Sequence, residues 1–177
     1  MAACPPVSDS TPPTRSRDSL YRRARRFVAR GTRTERDLRA YLERQPAAAG
    51  KAAEVFERLR QSGWVDDRAC ARLLAEDDAR RGYAWGAARQ RLQARGLAAA
   101  TVEAAVRPLE RQATDRERAA ELARAEAERL QRIGRPVARM RASLLRYLAR
   151  RGFDEAVVDD AAARALGASA RANDSSD

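Results

Sequence analysis

The chain has 177 residues, 44% hydrophobic and 34% charged, with a formal net charge of +11. It is too apolar for a disordered chain, has no run near the roughly 18 apolar residues of a membrane span, and lacks a basic-then-apolar leader. It contains no histidine, two cysteines (Cys4 and Cys70) and one lysine (Lys51), which excludes Ser-His and Cys-His nucleophiles, the usual zinc ligand sets and most lysine chemistry.

Gly50-Lys51 resembles the end of a phosphate-binding loop, but Gln45 replaces the first glycine and Ala52 the Ser/Thr that would hold magnesium. The expectation is a cytoplasmic, non-enzymatic protein without a cofactor or metal.

In chain order, residues 1–17 hold four of the seven prolines among Ser and Thr and are expected to form a disordered tail. From Ser19 to Leu166 apolar residues recur at helical spacing, with no strand-like alternation, so the body is expected to be all-α. Helices are expected over 18–30, 34–45 and 49–61, then 66–80, 86–95 and 98–109, then 114–132, 136–151 and 154–166. Asp18, Thr34 and Asp154 are suited to N-caps and Pro136 to a first turn. Cys70 falls on an apolar helix face, as a small core residue. Residues 168–177 are polar and read as a second tail.

The helices group by internal repetition. Leu42, Leu92 and Leu148 each precede a helix stop (Pro46, Gly96, Gly152) by four residues, and Leu38, Ala88 and Leu144 sit one turn earlier. An amphipathic stretch follows each stop: Val55, Phe56 and Leu59; Val102, Ala105 and Val106; Val158, Ala161 and Ala162. This predicts an elongated array of three tandem three-helix, helix-turn-helix-like repeats over 18–63, 64–110 and 111–167.

Of 36 basic residues, 35 are arginine, and they are segregated. Residues 15–44 carry a net +7, residues 80–102 a net +5 with no acid, and residues 130–153 a net +7 with no acid, leaving −8 for the remainder. The charge recurs around the second helix of each repeat, a phase that codon bias would not readily give. Arg22, Arg23, Arg26 and Arg30 oppose Leu20, Ala24, Phe27 and Val28 in the first window, with Arg33 beyond them. Arg80, Arg81 and Arg89 mark the second. In the third, Arg135, Arg139, Arg146 and Arg150, with Arg132 if the helix is continuous across Gly134, fall within an arc of roughly 60°, opposite Val137, Met140, Leu144 and Leu148. A single arginine is most simply part of a solvated face; three phased clusters point to a polyanionic or acidic partner. Tyr83 and Trp85, in a Gly-flanked turn beside Arg80 and Arg81, suit either base stacking or packing between the first two repeats.

Over residues 19–166 these features resemble the RecX family, the bacterial regulators of the RecA recombinase. Arg33 to Leu42 (RTERDLRAYL) is similar to the family's Arg-Ser-x-x-Glu-Leu-x-x-x-Leu. Gly63, Asp66 and Asp67, then Arg80-Arg81-Gly82-Tyr83, then Arg89 to Leu92 before Arg95-Gly96 follow its central joint, and Leu148 to Phe153 (LARRGF) its last repeat. The chain departs after Asp-Asp, where Ala69 and Cys70 replace the usual arginine and aromatic, and at Ala84, where the family has glycine. The resemblance implies a monomeric, non-catalytic protein that binds the RecA–DNA filament and inhibits ATP hydrolysis, strand exchange and co-protease activity. Recombination, DNA repair and the SOS response would thereby be damped, with weak to moderate, non-specific binding to single- or double-stranded DNA and none to membranes.

The alternative from the residues is a stand-alone basic DNA-binding or nucleoid-associated protein. The third helices of the repeats are Ala-rich or acidic at their starts, which disfavours base reading in the major groove. A carboxylate enzyme built on Glu76, Asp77 and Asp78 is disfavoured because consecutive helical residues point in different directions.

Overall fold

The computed structural model describes residues 13–46 and 50–174, with side chains over 18–46 and 50–168. Among the described residues there are α-helices and no strands. The chain divides into two compact units, residues 1–70 and 71–177.

The first unit holds α1 (Pro13–Ala29), α2 (Glu35–Glu43) and α3 (Ala52–Gln61), which pack on one another. Leu20, Ala24 and Val28 of α1, Leu38 and Leu42 of α2, and Val55, Phe56 and Leu59 of α3 form one buried cluster closed by Val65. Each fully buried Leu contributes about 1.5–3 kcal/mol relative to exposure. Thr34 starts α2 with a capping box: its hydroxyl accepts the Asp37 amide at 3.1 Å, and the Asp37 carboxylate accepts the Thr34 amide at 3.1 Å. A second carboxylate supports the same helix end, because the Glu35 amide donates to Asp67 Oδ1 at 2.8 Å. Asp67 is the first residue of α4 (Asp67–Arg80), the helix that carries the division between the units.

In the second unit α4 is followed by α5 (Trp85–Ala94) and α6 (Ala99–Gln112). Their cluster is small-residue rich: Ala71 and Ala75, Trp85, Ala88 and Leu92, then Leu97, Val102, Ala105 and Val106. Trp85 supplies the bulk the alanines lack. Its amide donates to Asp115 Oδ1 at 2.9 Å, so the first residue of α7 (Asp115–Arg132) does for α5 what Asp67 does for α2.

With α8 (Val137–Ala149) and α9 (Glu155–Asp174), α7 forms a third trio in mutual contact. The Ala119, Ala123 and Ala127 stripe recurs every four residues on one face of α7; Ala161, Ala162 and Ala165 of α9 and Met140, Leu144 and Leu148 of α8 complete the cluster. The α8–α9 turn is docked on the start of α5. The Ala84 amide donates to the Arg151 carbonyl at 2.9 Å, and Gly152, at φ +82°, lies where a Cβ would come within 2.6 Å of Ala87 Cβ.

Several expectations differ in detail. α1 begins at Pro13, so Asp18 is an interior residue, paired with Arg58 at 3.8 Å, and does not cap the helix. α9 runs to Asp174, so helix extends into both segments read as tails; Cys4 lies outside the described residues. Cys70 is buried, as expected. Thr114, an unanticipated cap, opens α7 with a capping box to Glu117. Val137, expected on the apolar side of α8, is 59% exposed, because the buried face of that helix begins at Met140.

Candidate functional site

The arginine clusters sort into residues used within the fold and residues that are exposed. Arg89 belongs to the first group: its Nε lies 2.9 Å from Glu103, its Nη2 reaches Glu110, and only 26% of its side chain is exposed. The hydrogen bonds to Glu110 and then Glu103 hold the guanidinium pKa even further above its ordinary value, and the bond from Arg89 holds the Glu103 carboxyl below its own. Arg89 ties α5 to α6, its guanidinium engaged by two carboxylates of the same fold.

Tyr83 is half-buried, with one ring face covered by Arg91 at 4.1 Å, and Arg91 in turn pairs with buried Asp78 at 3.1 Å. Trp85 is 2% exposed; its indole N–H donates to the Ala113 carbonyl at 2.8 Å, and Arg118 stacks on its ring at 3.8 Å. Trp85 is therefore a packing residue, and its neighbours Asp115 and Arg118 come from the third trio, not the first. Burial holds the Asp115 carboxyl above its ordinary value and, as the first cause, lowers the Arg118 guanidinium.

This use of arginine is general. Arg25, Arg33, Arg39 and Arg58 lie over Trp64, Phe27, Phe56 and Tyr21, and Arg151 lies over Tyr147 at 3.8 Å. Such contacts contribute about 0.5–1 kcal/mol at exposed sites and more where desolvated. One face of each of these rings is thus occupied by the chain's own guanidinium groups. The partners of Trp85 were hidden from the sequence because they are remote in it: Arg118 and Trp85 are 33 positions apart, and Asp115 and Trp85 are 30.

The remaining candidates are surface charges. Arg22 and Arg26 are exposed on α1 and Arg30 in the turn beyond it. Arg23 is half-buried, with an Nε that makes no hydrogen bond among the described residues, and Arg33 Nε is the same. Arg80 and Arg81 are exposed and share Asp77, at 3.3 and 2.9 Å; exposed pairs of this kind contribute about 0–1 kcal/mol and yield readily to another anion. Asp77 and Asp78 therefore answer to different arginines, and no cluster of potential metal ligands occurs among the described residues.

Arg139 and Arg146 on α8 and Arg150 at its C-cap are exposed, spaced by seven and four residues, and form no ion pair with a described residue. Arg141 is paired with Asp159 at 3.0 Å. Gly134, at φ +69°, ends α7 and breaks the continuous helix that would have aligned Arg132, and Arg135 also precedes α8. The stripe is Arg139 and Arg146 of α8 with Arg150 at its C-cap.

The fold defines a class: all-helical, built of helix trios, with exposed guanidinium faces. No known family profile matches the chain, and no curated protein matches it in sequence. Solved structures that share its fold include two RecX crystal structures. The crystal structure of RecX from Lactobacillus salivarius has a TM-score of 0.66 at 15% identity, covering 86% of this chain and 97% of that one. A crystal structure of regulatory protein RecX has a TM-score of 0.62 at 20% identity, covering 82% of this chain and 70% of that one. The chain has the RecX fold. No helix among the described residues is long and apolar enough to cross a membrane.

Proposed function

We propose that the protein is a non-catalytic regulator of the RecA recombinase, acting by binding the RecA–DNA filament and slowing its ATP hydrolysis and strand exchange. The observation that carries this reading is the shared RecX fold together with the motifs at Asp66-Asp67, Arg80 to Tyr83 and Leu148 to Phe153. The exposed arginines favour the same conclusion. Arg22, Arg26 and Arg30 on one trio and Arg139, Arg146 and Arg150 on another offer planar donors suited to carboxylates and phosphates. Exposed arginines thus occur in the expected first repeat, 18–63, and in the expected third, 111–167. The covering of Trp85 and Tyr83 argues against a single-strand binder that stacks bases.

Filament co-sedimentation with RecA assembled on single-stranded DNA tests the reading. Binding to the filament at physiological salt is expected to survive excess naked duplex. Binding that is competed away in proportion to added DNA would favour the stand-alone DNA-binding alternative and overturn the proposal.

A further inference from the structure

The turn joining α7 to α8 exposes an apolar surface that the rest of the chain does not use. Residues 132–139 are exposed one after another, and among them Ile133 and Val137 are 61% and 59% exposed, the largest exposures of any big aliphatic side chains described. The turn itself is held rigidly. The amides of Ile133, Gly134 and Arg135 donate to the carbonyls of Arg129, Gln131 and Leu130 at 3.3, 2.8 and 3.0 Å, and Pro136 fixes the start of α8. A surface ordered in advance costs little to immobilise on binding.

The same place in the preceding trio is covered. Trp85 is the first residue of α5 as Val137 is of α8, and both follow a glycine of positive φ by three residues: Gly82 at +75° and Gly134 at +69°. Trp85 is buried beneath Arg118 and bonded to Asp115, both from α7, the first helix of the next trio. Val137 has open space around it, and a Cβ on Gly134 would meet nothing within 4 Å.

Charge identifies the occupant. Arg132, Arg135 and Arg139 flank the two aliphatic residues in sequence, are exposed and form no ion pair with a described residue, and no acid occurs between residues 130 and 153. Phosphates alone would leave Ile133 and Val137 in water, and the amides of residues 133–135 are already spent on carbonyls of α7. An apolar pocket rimmed by carboxylates satisfies both halves, the aliphatic pair as the dry centre and the arginines as the polar rim.

We infer that the α7–α8 turn is a docking surface, inserting Ile133 and Val137 into an acid-rimmed apolar pocket on a protein partner. Resting on the regulator reading above, the partner is a protomer of the recombinase filament.

The test uses three proteins: the wild type, I133S/V137S and R135E/R139E, each checked for unchanged helicity, with I133A/V137A as a milder version of the aliphatic change. Affinity is measured for the RecA filament and, separately, for naked single-stranded DNA. The serine and alanine pairs are expected to weaken filament binding by about tenfold or more, the loss typical of a central interface residue, while leaving DNA binding within about twofold. The charge reversal is expected to weaken filament binding most at low salt. Serine-pair binding equal to the wild type would overturn the docking surface and leave the regulator reading intact. Equal losses on filament and naked DNA would make the turn a nucleic-acid wedge and overturn it also. A wild-type protein that binds no filament would refute the regulator reading itself.

Discussion

Substitution of Gly152 by alanine tests the docking of the α8–α9 turn on α5, with Gly134 as an internal control. Both glycines have left-handed backbone, φ +82° and +69°, so alanine at either carries a backbone penalty of roughly 1–2 kcal/mol. Their surroundings differ. A Cβ at Gly152 would lie 2.6 Å from Ala87 Cβ, whereas one at Gly134 meets nothing within 4 Å. That distance is about 1 Å inside normal carbon–carbon contact, and Ala87 has no flexible end that could swing away. Relief requires the turn to move off α5, which strains the 2.9 Å bond from the Ala84 amide to the Arg151 carbonyl. Overpacking of this kind costs about 1–3 kcal/mol, so G152A is expected to destabilise by about 2–5 kcal/mol and to exceed G134A by about 1–3 kcal/mol. Urea unfolding followed by circular dichroism measures both. Equal losses for the two variants would refute the close approach of Gly152 to Ala87.

Trp85→Phe is expected to cost about 1–2 kcal/mol, from the lost indole bond to Ala113 and reduced ring area, and to leave single-stranded DNA affinity unchanged; a DNA defect without a stability defect would restore Trp85 as a stacking residue. Charge reversal at Arg139, Arg146 and Arg150 is expected to lower filament affinity at least about tenfold with helicity retained, and unchanged affinity would exclude this stripe as a contact. For pH, hydrogen bonding holds Glu103, Glu117 and Glu126 below the ordinary glutamate value of 4.5. A lowered folded-state pKa gives stability that is present above that value and lost as pH falls through the folded values. Asp115, raised by burial above 3.8, acts in the opposite sense, its contribution fading as pH rises. Three groups against one predict that Tm falls on acidification below about pH 4.5; a Tm that stays level down to pH 3 would contradict this.

The helical frame was legible because it is written in apolar periodicity. Leu42, Leu92 and Leu148, with Leu38, Ala88 and Leu144 a turn earlier, are all buried, as are the residues expected on the three following helices. The glycines expected to stop helices at 96 and 152 do adopt positive φ. What the pattern concealed was pairing at a distance. The acids of the second trio, Glu103 and Glu110, lie outside the acid-free window 80–102, so its charge count concealed that Arg89 is neutralised inside the fold. Val137 continued the α8 apolar spacing one turn too far because periodicity carries no information on where a neighbouring helix ends. Thr34 was legible as a cap, whereas the carboxylates of Asp67 and Asp115 reach other helices from 32 and 30 residues away.

ATP hydrolysis by RecA on single-stranded DNA, with this protein titrated in at physiological salt and a parallel series containing excess naked DNA, tests the central claim most directly. Inhibition at substoichiometric amounts that added DNA does not relieve is the result expected of a filament-directed regulator. Hydrolysis that is unaffected, or restored in proportion to the DNA added, would contradict the claim.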